Sequence, residues 1–415
     1  MNSAALRHVN WILALLVLSL CINYIDRGVL SVSAPLISKD LSLSPTQMGW
    51  LFSTFFWSYA AFQIVSGWLV DRFAVKWVYA GGFLIWSLST AAVGLIYSFP
   101  VLLVARFVLG VGESVAYPAC SRILVENFPE SRRGFANALV DAGTKVGPGL
   151  STLVGGLLIN MYGWRAVFLI LGFGSLVWLL PWAAWMTVPS ETSVENNRKG
   201  PGMSEILRRR QTWGTCLGMF SLGYVWYFLL SWLPSYLVND RGFSLSAMAV
   251  LGSIPFWAMA ASSLCGGFLS DFLITRGGNP SKVRKSFAGC GLLLCGAAIA
   301  PVAFVADARL SVALLTAACV ALGMFSSNVW AITQTLAGPL AAGKWTGIQN
   351  AIGNLGGVVS PLLTGWIVSL TGSFLLAFLA ATAVLLLGTI AYLSLIGEIR
   401  PLVWLQETSA QEAVA

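Results

Sequence analysis

Twelve long apolar segments run through the chain, and their length limits what it can fold into. The hydrocarbon core of a membrane is about 30 Å thick, so an α-helix of about 20 residues crosses it. Only 10% of the residues are charged and the mean hydropathy is +0.79, whereas about 25% of residues are charged in a soluble domain. We therefore predict an all-α polytopic membrane protein. An outer-membrane barrel would show shorter segments of alternating polarity.

The apolar segments divide into two groups of six. The predicted spans are 10–31, 48–70, 77–97, 100–124, 134–160, 164–187, 212–238, 246–272, 285–306, 309–337, 344–370 and 373–396. The longest polar stretch follows the sixth span and contains three consecutive arginines. The sequence thus predicts two pseudo-symmetric six-helix bundles. Their ranges are 1–188 for the N-terminal bundle, 189–211 for a cytoplasmic linker, 212–397 for the C-terminal bundle and 398–415 for a cytoplasmic tail.

Basic residues lie in the loops of one side far more often than in those of the other. One side holds Arg7, Arg72, Lys76, Arg122, Arg132, Arg133, Arg198, Lys199, Arg208, Arg209, Arg210, Arg276, Lys282, Arg284, Lys285, Lys344 and Arg400, and the other holds Lys39, Arg165, Arg241 and Arg309. Positively charged loops stay in the cytoplasm, so we predict that both termini are cytoplasmic. This topology accounts for the net charge of +8, which therefore does not indicate a nucleic-acid partner.

A short motif recurs at corresponding positions of the two halves. Gly67-Trp-Leu-Val-Asp71 ends the second span, Gly267-Phe-Leu-Ser-Asp271 ends the eighth, and a basic loop follows each. We expect the glycine to allow close helix contact and the aspartate to cap a neighbouring helix N-terminus. Asp71, Arg72 and Asp271 are therefore assigned to gating between conformations rather than to substrate binding.

The spans show no residue pattern typical of an enzyme or a metal site. The seven cysteines are scattered through apolar segments without CxxC spacing, and the single histidine, His8, lies in the N-terminal tail. We predict no catalytic residue, no metal site and no cofactor, so the chain is not expected to be an enzyme. A non-transporting membrane receptor is an alternative from another class, but the residues after Arg400 are too few for a soluble output domain.

Six charged residues remain inside the predicted spans, and all lie in the N-terminal half. Once the charges of the loops and of the span ends are set aside, these six are Asp26, Arg27, Arg106, Glu113, Asp141 and Lys145. Each costs roughly 2.5–3.5 kcal/mol to insert at a helix centre, so three acids and three bases indicate a mutually compensating network. We interpret Asp26 and Arg27 as facing a polar cavity. The alternative is that this pair lies near the end of its span and reaches water.

Two residues of the fourth span point to proton coupling. Arg106 and Glu113 are seven residues apart and therefore share a helix face. A carboxylate in a low dielectric takes up a proton more readily than one in water. Glu113 is therefore the first candidate proton carrier, and Arg106 is assigned to the coupling network. The alternative is a buried structural ion pair between these two side chains.

Two further features concern anion binding. The guanidinium of Arg27 is always charged and can hold a carboxylate through two hydrogen bonds. In the fifth span, Asp141 and Lys145 are spaced for an ion pair within the helix. One interpretation is a self-neutralising pair that makes insertion possible. The other is that Lys145 provides a second cation for an anionic substrate, and that Asp141 pairs with Lys145 until the substrate binds.

Neutral polar residues complete the candidates. Tyr59 and Gln63 lie one turn apart on the second span, where Phe55 is interpreted as packing. The second half adds Tyr224 in the seventh span and Gln349, Asn350 and Asn354 in the eleventh. Their amides suit the hydroxyl groups of a polyol. Hydrogen bonds between helices are the alternative for any one of them.

Several stretches carry motifs of a known transporter family. They are Tyr24-Ile-Asp26-Arg27, Gly67-Trp-Leu-Val-Asp71-Arg72, Arg106-Phe-Val-Leu-Gly110-Val-Gly112-Glu113 with Tyr117-Pro118, and Asn127-Phe128-Pro129-Glu130-Ser-Arg132. On these residues the chain resembles transporters of the major facilitator superfamily, and within it the anion:cation symporter family. It is similar to bacterial sugar-acid permeases (galactonate, hexuronate, aldarate) and more distantly to animal vesicular glutamate and sialic acid carriers.

The resemblance implies uptake of an organic anion by proton symport with alternating access, driven by the proton gradient. In this family pattern Arg27 binds the substrate carboxylate, while Asp26 and Glu113 take up protons. Tyr59 and Asn350 match positions that contact sugar-acid substrates. We also expect a monomer in the lipid bilayer of a bacterial inner (plasma) membrane. An anion exchanger or uniporter of the same fold is the alternative.

Two departures from the family pattern bear on the substrate and on gating. Galactonate-type relatives place a glutamine where this chain has Thr144 and an uncharged residue where it has Lys145. Thr144 and Lys145 therefore join the substrate-binding candidates, and the added charge favours a uronate, an aldarate or another second anionic feature. The loop after Arg72 reads Phe-Ala-Val-Lys76, where Gly and Arg are usual, and we expect this change to affect gating alone.

Overall fold

The computed structural model describes residues 3–128, 130–186 and 201–404, which form helices and loops without a β-strand. The helices are α1 (Ser3–Asp40), α2 (Pro45–Arg72), α3 (Val75–Val93), α4 (Phe99–Glu113), α5 (Ala116–Asn127), α6 (Glu130–Leu150), α7 (Gly156–Tyr162), α8 (Trp164–Ser175), α9 (Leu179–Trp185), α10 (Met203–Arg208), α11 (Arg210–Ser235), α12 (Leu245–Thr275), α13 (Pro280–Val302), α14 (Ala308–Thr371) and α15 (Leu375–Leu395).

Nine helical stretches in the described part of the chain are long and apolar enough to cross a membrane. They correspond to the first, the fourth and the sixth to twelfth predicted spans. The second, third and fifth predicted spans coincide with α2, α3 and the pair α6 and α7, which are helical too. The predicted spans are therefore confirmed as helical in the part of the chain that the structure describes.

Local interruptions fall where the sequence contains proline or glycine. A turn of π-helix, Ser151–Gly155, follows Pro148 and joins α6 to α7. Gly338 interrupts α14 with a φ of 64°, a conformation that glycine adopts without steric cost. It separates the stretches Ala308–Gly338 and Ala341–Thr371, which match the tenth and eleventh predicted spans.

The first of two compact units contains most of the N-terminal half. Unit 1 comprises Met1–Thr192, Leu229–Trp257 and Pro361–Phe374. Parts of α11, α12 and α14 thus pack against N-terminal helices within this unit. A Cβ atom at Gly49 would lie 2.6 Å from the carbonyl oxygen of Pro361, which shows how closely α2 and α14 approach. The rings of Phe52 and Trp232 meet edge to face at 5.5 Å.

Unit 2 comprises Ser193–Phe228, Ala258–Ser360 and Leu375–Ala415. Within it, the segment after α15 packs beside the break in α14. The indole of Trp404 is buried and donates a hydrogen bond to the carbonyl of Ala337 at 3.0 Å. The backbone N–H of Leu402 donates to Leu336 over 3.0 Å. These two bonds fix the chain after α15 to the end of the tenth span.

The predicted linker 189–211 lies partly outside the described residues, which resume at 201. The short helix α10 and the start of α11 fall in its described part. The predicted bundle boundaries stay predictions.

Candidate substrate and proton site

The centre of the site is a buried ion pair between α1 and α4. The Nε of Arg27 donates to a carboxylate oxygen of Glu113 over 2.8 Å, and the two side chains are 3% and 0% exposed. Glu113 therefore pairs with a residue of another helix rather than with Arg106, which shares its own helix. An ion pair withdrawn from water to this degree has to be well formed, since each buried charge alone would be very costly.

Three aromatic rings surround the guanidinium of Arg27. Its central carbon lies 4.6 Å from the ring centre of Tyr24, 4.7 Å from that of Phe55 and 4.8 Å from that of Tyr59. The faces of aromatic rings attract cations, most strongly where water is excluded. We call Tyr24, Phe55 and Tyr59 the aromatic cage. It replaces part of the hydration that Arg27 loses on burial.

Two glycines allow the helices of the site to approach each other. A Cβ atom at Gly110 would collide with the side chain of Ser58 and with the backbone at Phe55, so α4 lies directly against α2. A Cβ atom at Gly147 would lie 2.6 Å from the Cβ of Tyr24, so α6 lies directly against α1. The first contact places α4 beside the α2 residues of the aromatic cage, and the second places α6 beside Tyr24 of the cage.

Asp26 and Arg106 form a second buried pair of opposite charges, without direct contact. Arg106 donates through Nε to the carbonyl of Leu51 at 3.3 Å and lies 5.0 Å from the ring centre of Phe55. The carboxylate of Asp26 interacts electrostatically with Arg106 and Glu113 and lies near the hydroxyl of Thr90. Neither of its oxygens has a hydrogen-bond partner among the described residues. A proton could therefore bind Asp26 without displacing an existing hydrogen bond.

The Asp141–Lys145 pair forms as the spacing predicts. The ammonium of Lys145 lies 3.0 Å and 3.3 Å from the two carboxylate oxygens of Asp141. Thr144 is buried, and its hydroxyl donates to the backbone carbonyl of Asp141 at 2.7 Å. That hydroxyl also lies 3.5 Å from the ammonium. The side chains of Lys145 and Asp141 are 18% and 54% exposed, unlike the enclosed Arg27–Glu113 pair.

Tyr59 and Gln63 extend the polar surface along α2. The amide nitrogen of Gln63 lies 3.4 Å from the hydroxyl of Tyr59, as one turn of spacing predicts. Tyr59 is buried in the aromatic cage, and Gln63 is half-buried. Unit 1 thus brings together eight of the predicted residues: Asp26, Arg27, Tyr59, Gln63, Arg106, Glu113, Thr144 and Lys145, with Asp141 beside the last.

The candidates of unit 2 make neutral contacts. Gln349 accepts a hydrogen bond from the hydroxyl of Thr333, and its amide nitrogen has no partner in the described part of the unit. Asn354 accepts from the hydroxyl of Tyr227 at 3.1 Å. Tyr224 is buried and Asn350 is half-buried. These contacts fit the alternative of hydrogen bonds between helices, and they leave the amide nitrogen of Gln349 available to a ligand.

The gating motif differs from the expectation in one respect. A Cβ atom at Gly67 would meet nothing within 4 Å, and one at Gly267 would meet only Ser327 at 3.7 Å. These glycines therefore do not mark a close helix contact in this structure. Asp271 and Arg72 are exposed, and Arg72 lies 5.7 Å from the ring centre of Trp68. The side chain of Asp71 lies outside the described residues, so the gating role stays a prediction.

Sequence reasoning missed members of the site that carry no charge. Phe55, interpreted as packing, contacts both guanidiniums, and Tyr24 forms a side of the aromatic cage. The hydroxyls of Tyr24 and Tyr117 lie 3.5 Å apart. Tyr24 and Tyr117 lie one turn from Arg27 and Glu113, a position that many apolar residues share, whereas no charged residue lies within one turn of Phe55 in the sequence.

Comparisons with known proteins identify the family of the chain. Residues 16–343 match the family model of the Major Facilitator Superfamily. The chain is 34% identical to the probable sulfoacetate transporter SauU of Cupriavidus necator, covering 93% of each chain. It is 31% identical to the hexuronate transporter of Bacillus subtilis over 92% of each chain. It is 29% identical to the probable galactarate/D-glucarate transporter GarP of Escherichia coli, over 95% of this chain and 96% of that one.

A solved structure shares the fold. A bacterial homologue of the human lysosomal transporter Spinster, in an inward-facing and occupied conformation, superposes with a TM-score of 0.81. The match covers 92% of this chain and 96% of that one at 21% identity, so it supports the fold alone. The chain therefore belongs to the Major Facilitator Superfamily, as a multi-pass membrane transporter with the all-α fold of that family and not an enzyme.

Proposed function

We propose that this protein is a secondary active transporter that imports an organic anion, a sugar acid, by proton symport with alternating access. The observation that carries the proposal is the buried ion pair of Arg27 and Glu113 inside the aromatic cage. It combines a cation suited to a carboxylate with a carboxylate that can accept a proton.

The anionic substrate is supported by chemistry and by relatives. Arg27 binds carboxylates in a defined geometry, and the relatives named above are described as transporters of sulfoacetate, hexuronate, and galactarate or glucarate. Every one of those molecules carries an acid group. Tyr59 and Gln63 are placed to hydrogen-bond substrate hydroxyls on unit 1. In unit 2, Tyr224, Gln349, Asn350 and Asn354 stay candidates for the same task.

Coupling follows from competition for Arg27. While Glu113 is ionised it occupies Arg27, and separating the pair would leave two uncompensated buried charges. A proton on Glu113 removes its charge and releases Arg27 to a substrate carboxylate. Asp26, buried without a hydrogen-bond partner among the described residues, is the second proton acceptor. Protonation and substrate binding thus require each other, which is the condition for symport.

The membrane setting is part of the proposal. The protein acts in a bacterial inner membrane with both termini in the cytoplasm, on the basis of the uneven distribution of basic loops. It works as a monomer, and the proton gradient is its energy source. Arg106, Asp141, Asp71, Arg72 and Asp271 adjust the equilibrium between conformations without binding substrate.

Uptake into proteoliposomes tests the proposal. A panel of hexuronates, aldonates, aldarates and sulfoacetate is offered with and without an inward proton gradient. We expect accumulation above equilibrium only with the gradient. Glu113→Gln should abolish accumulation while exchange of substrate across the membrane survives, because a glutamine leaves Arg27 permanently released. The matched control is Glu126→Gln, which removes a carboxylate paired with Arg122 and partly exposed at 24%.

Two outcomes would contradict the assignment. Normal carboxylate transport by Arg27→Ala would remove Arg27 from the binding site. Equal uptake by the wild type with and without the gradient would indicate an exchanger or uniporter. The ion pair also permits these alternatives, because an arriving carboxylate could displace Glu113 directly from Arg27. In that case Glu113 would be a structural partner.

A further inference from the structure

Lys145 is the more accessible of the two cations beside the aromatic cage. The side chains of Lys145 and Asp141 are 18% and 54% exposed, respectively. Those of Arg27 and Glu113 are only 3% and 0% exposed. A half-exposed carboxylate in a membrane-spanning helix would be costly against lipid. The exposed side of Asp141 therefore faces an aqueous space. A solute in that space meets Lys145 without crossing the aromatic cage.

One tyrosine lies near both cations. The ring of Tyr24 lies 4.6 Å from the guanidinium carbon of Arg27. The close approach at Gly147 brings α6 against the same residue, and Lys145 and Tyr24 interact electrostatically. The hydroxyl of Tyr24 also lies 3.5 Å from that of Tyr117. Arg27 and Lys145 thus both lie near the same aromatic side chain, an arrangement suited to a short molecule with an anionic group at each end.

We propose that Lys145 binds a second anionic group, so that the preferred substrate is a small dianion whose two acid groups engage Arg27 and Lys145. The proposal rests on the proposed function and specifies its substrate class. Asp141 acts as an internal competitor that satisfies Lys145 until the second acid group arrives. Glu113 does the same for Arg27, so each cation has a carboxylate of the chain that the substrate replaces.

The charges of unit 1 set the number of protons that are transported with each substrate molecule. Three acids and three bases lie away from the ends of its spanning segments, and their charges cancel when all are ionised. A dianion adds two negative charges, and two protons on Asp26 and Glu113 restore neutrality. The loaded carrier then moves no net charge across the membrane. A proton gradient drives dianion uptake, while a membrane potential alone does not.

Two matched pairs of probes test the substrate class. D-Glucarate and D-gluconate differ by one carboxylate, and sulfoacetate and acetate differ by one sulfonate. Affinities of the full chain are measured in detergent by competition or thermal shift, and uptake is measured in proteoliposomes. We expect the wild type to prefer the dianion of at least one pair by about 10- to 100-fold, the size of one charge-assisted hydrogen bond. In Lys145→Gln this ratio should fall towards one.

Three further variants identify the role of the charge. Lys145→Arg should keep the preference, because the cation remains. Asp141→Asn should raise dianion affinity a few-fold, because the competitor loses its charge. Lys39→Gln removes a cation from the exposed end of α1 and should keep the wild-type ratio.

In proteoliposomes, a potential set by potassium and valinomycin without a pH gradient should not drive dianion accumulation.

The outcomes separate this inference from the function on which it rests. If the wild type binds monoanion and dianion equally, or Lys145→Gln keeps the wild-type ratio, the dianion proposal is wrong while the transporter of organic anions stands. If a potential alone drives accumulation, the pairing of one dianion with two protons is wrong. If no acid of either pair is bound or transported, both proposals are wrong.

Discussion

The two units hold their polar side chains in different ways. In unit 1, the polar groups are charged, and the most enclosed of them, Arg27 and Glu113, form an ion pair at 2.8 Å. In unit 2, the candidates are joined by neutral hydrogen bonds, such as that between Tyr227 and Asn354 at 3.1 Å. Protonation can change the charge of the carboxylates in unit 1, but it does not change the charge of the neutral side chains in unit 2. Coupling to a proton gradient is therefore expected to reside in unit 1.

The difference also predicts how unequally the units respond to substitution. Removing one partner of a buried ion pair costs about 3–5 kcal/mol, because the other charge is left uncompensated. A neutral hydrogen bond between membrane helices contributes about 0.6 kcal/mol on average. Comparable substitutions in the two units should thus differ several-fold in their effect on stability.

The largest effect is expected for Arg27→Met. The variant leaves Glu113 buried without its partner, so the free energy of unfolding should fall by about 3–5 kcal/mol when Glu113 is ionised. Carboxylate binding should be lost as well. Chemical or thermal unfolding of the protein in detergent measures the first effect, and ligand-induced thermal shift measures the second.

A double variant shows whether the pair itself is responsible. Arg27→Met with Glu113→Gln should be more stable than Arg27→Met alone, because no unpaired charge remains. Arg284→Met in unit 2 is the control, since Arg284 donates to the neutral hydroxyl of Thr335 at 3.0 Å. If Arg284→Met destabilised the protein as much as Arg27→Met, the contrast between the units would not hold.

The next effect is expected for Phe55→Leu. Phe55 lies 4.7 Å from the guanidinium carbon of Arg27 and 5.0 Å from that of Arg106. Each contact between a desolvated cation and a ring contributes about 2 kcal/mol. We expect a loss of roughly 2–4 kcal/mol in the free energy of unfolding, measured as for Arg27→Met. Phe228→Leu is the matched control, because Phe228 packs on Phe378 in unit 2.

The fold was predictable from the sequence because length and apolarity constrain a membrane helix strongly. An unpaired backbone group in lipid is so costly that each run of about 20 apolar residues has to be helical. The candidate charges were identifiable for the same reason, since few charges enter the spans. Their placement was less predictable. Arg106 and Glu113 share a helix face, yet Glu113 pairs with Arg27, 86 positions away in the sequence.

The remaining features depend on how closely helices approach. Gly110 and Gly67 are both glycines within helices, but Gly110 lies directly against α2 whereas Gly67 has open space beside it. A single sequence does not distinguish these two situations. Phe55 likewise resembles any phenylalanine of an apolar segment until α1 and α4 place two guanidiniums against its ring.

A smaller effect is expected for Thr333→Val in unit 2. The hydroxyl of Thr333 donates to the buried side-chain oxygen of Gln349. Valine has a similar shape but leaves that oxygen without this donor, which should cost about 1–2 kcal/mol. Thr333→Ser, which keeps the hydroxyl, is the control and should retain most of the stability. An equal loss in both variants would mean that the methyl group rather than the hydrogen bond matters.

The smallest effect is expected for Tyr227→Phe, which removes only the hydroxyl that donates to Asn354. The free energy of unfolding should fall by about 0.6 kcal/mol, the average for such a bond in a membrane protein. The affinity for substrate can change, but accumulation driven by the proton gradient should persist, because no titrating group of unit 1 is altered. Uptake into proteoliposomes with and without the gradient measures this directly. Loss of gradient-driven accumulation at normal substrate exchange would place part of the coupling in unit 2. The division between a charged, proton-sensitive unit and a neutral one would then be wrong.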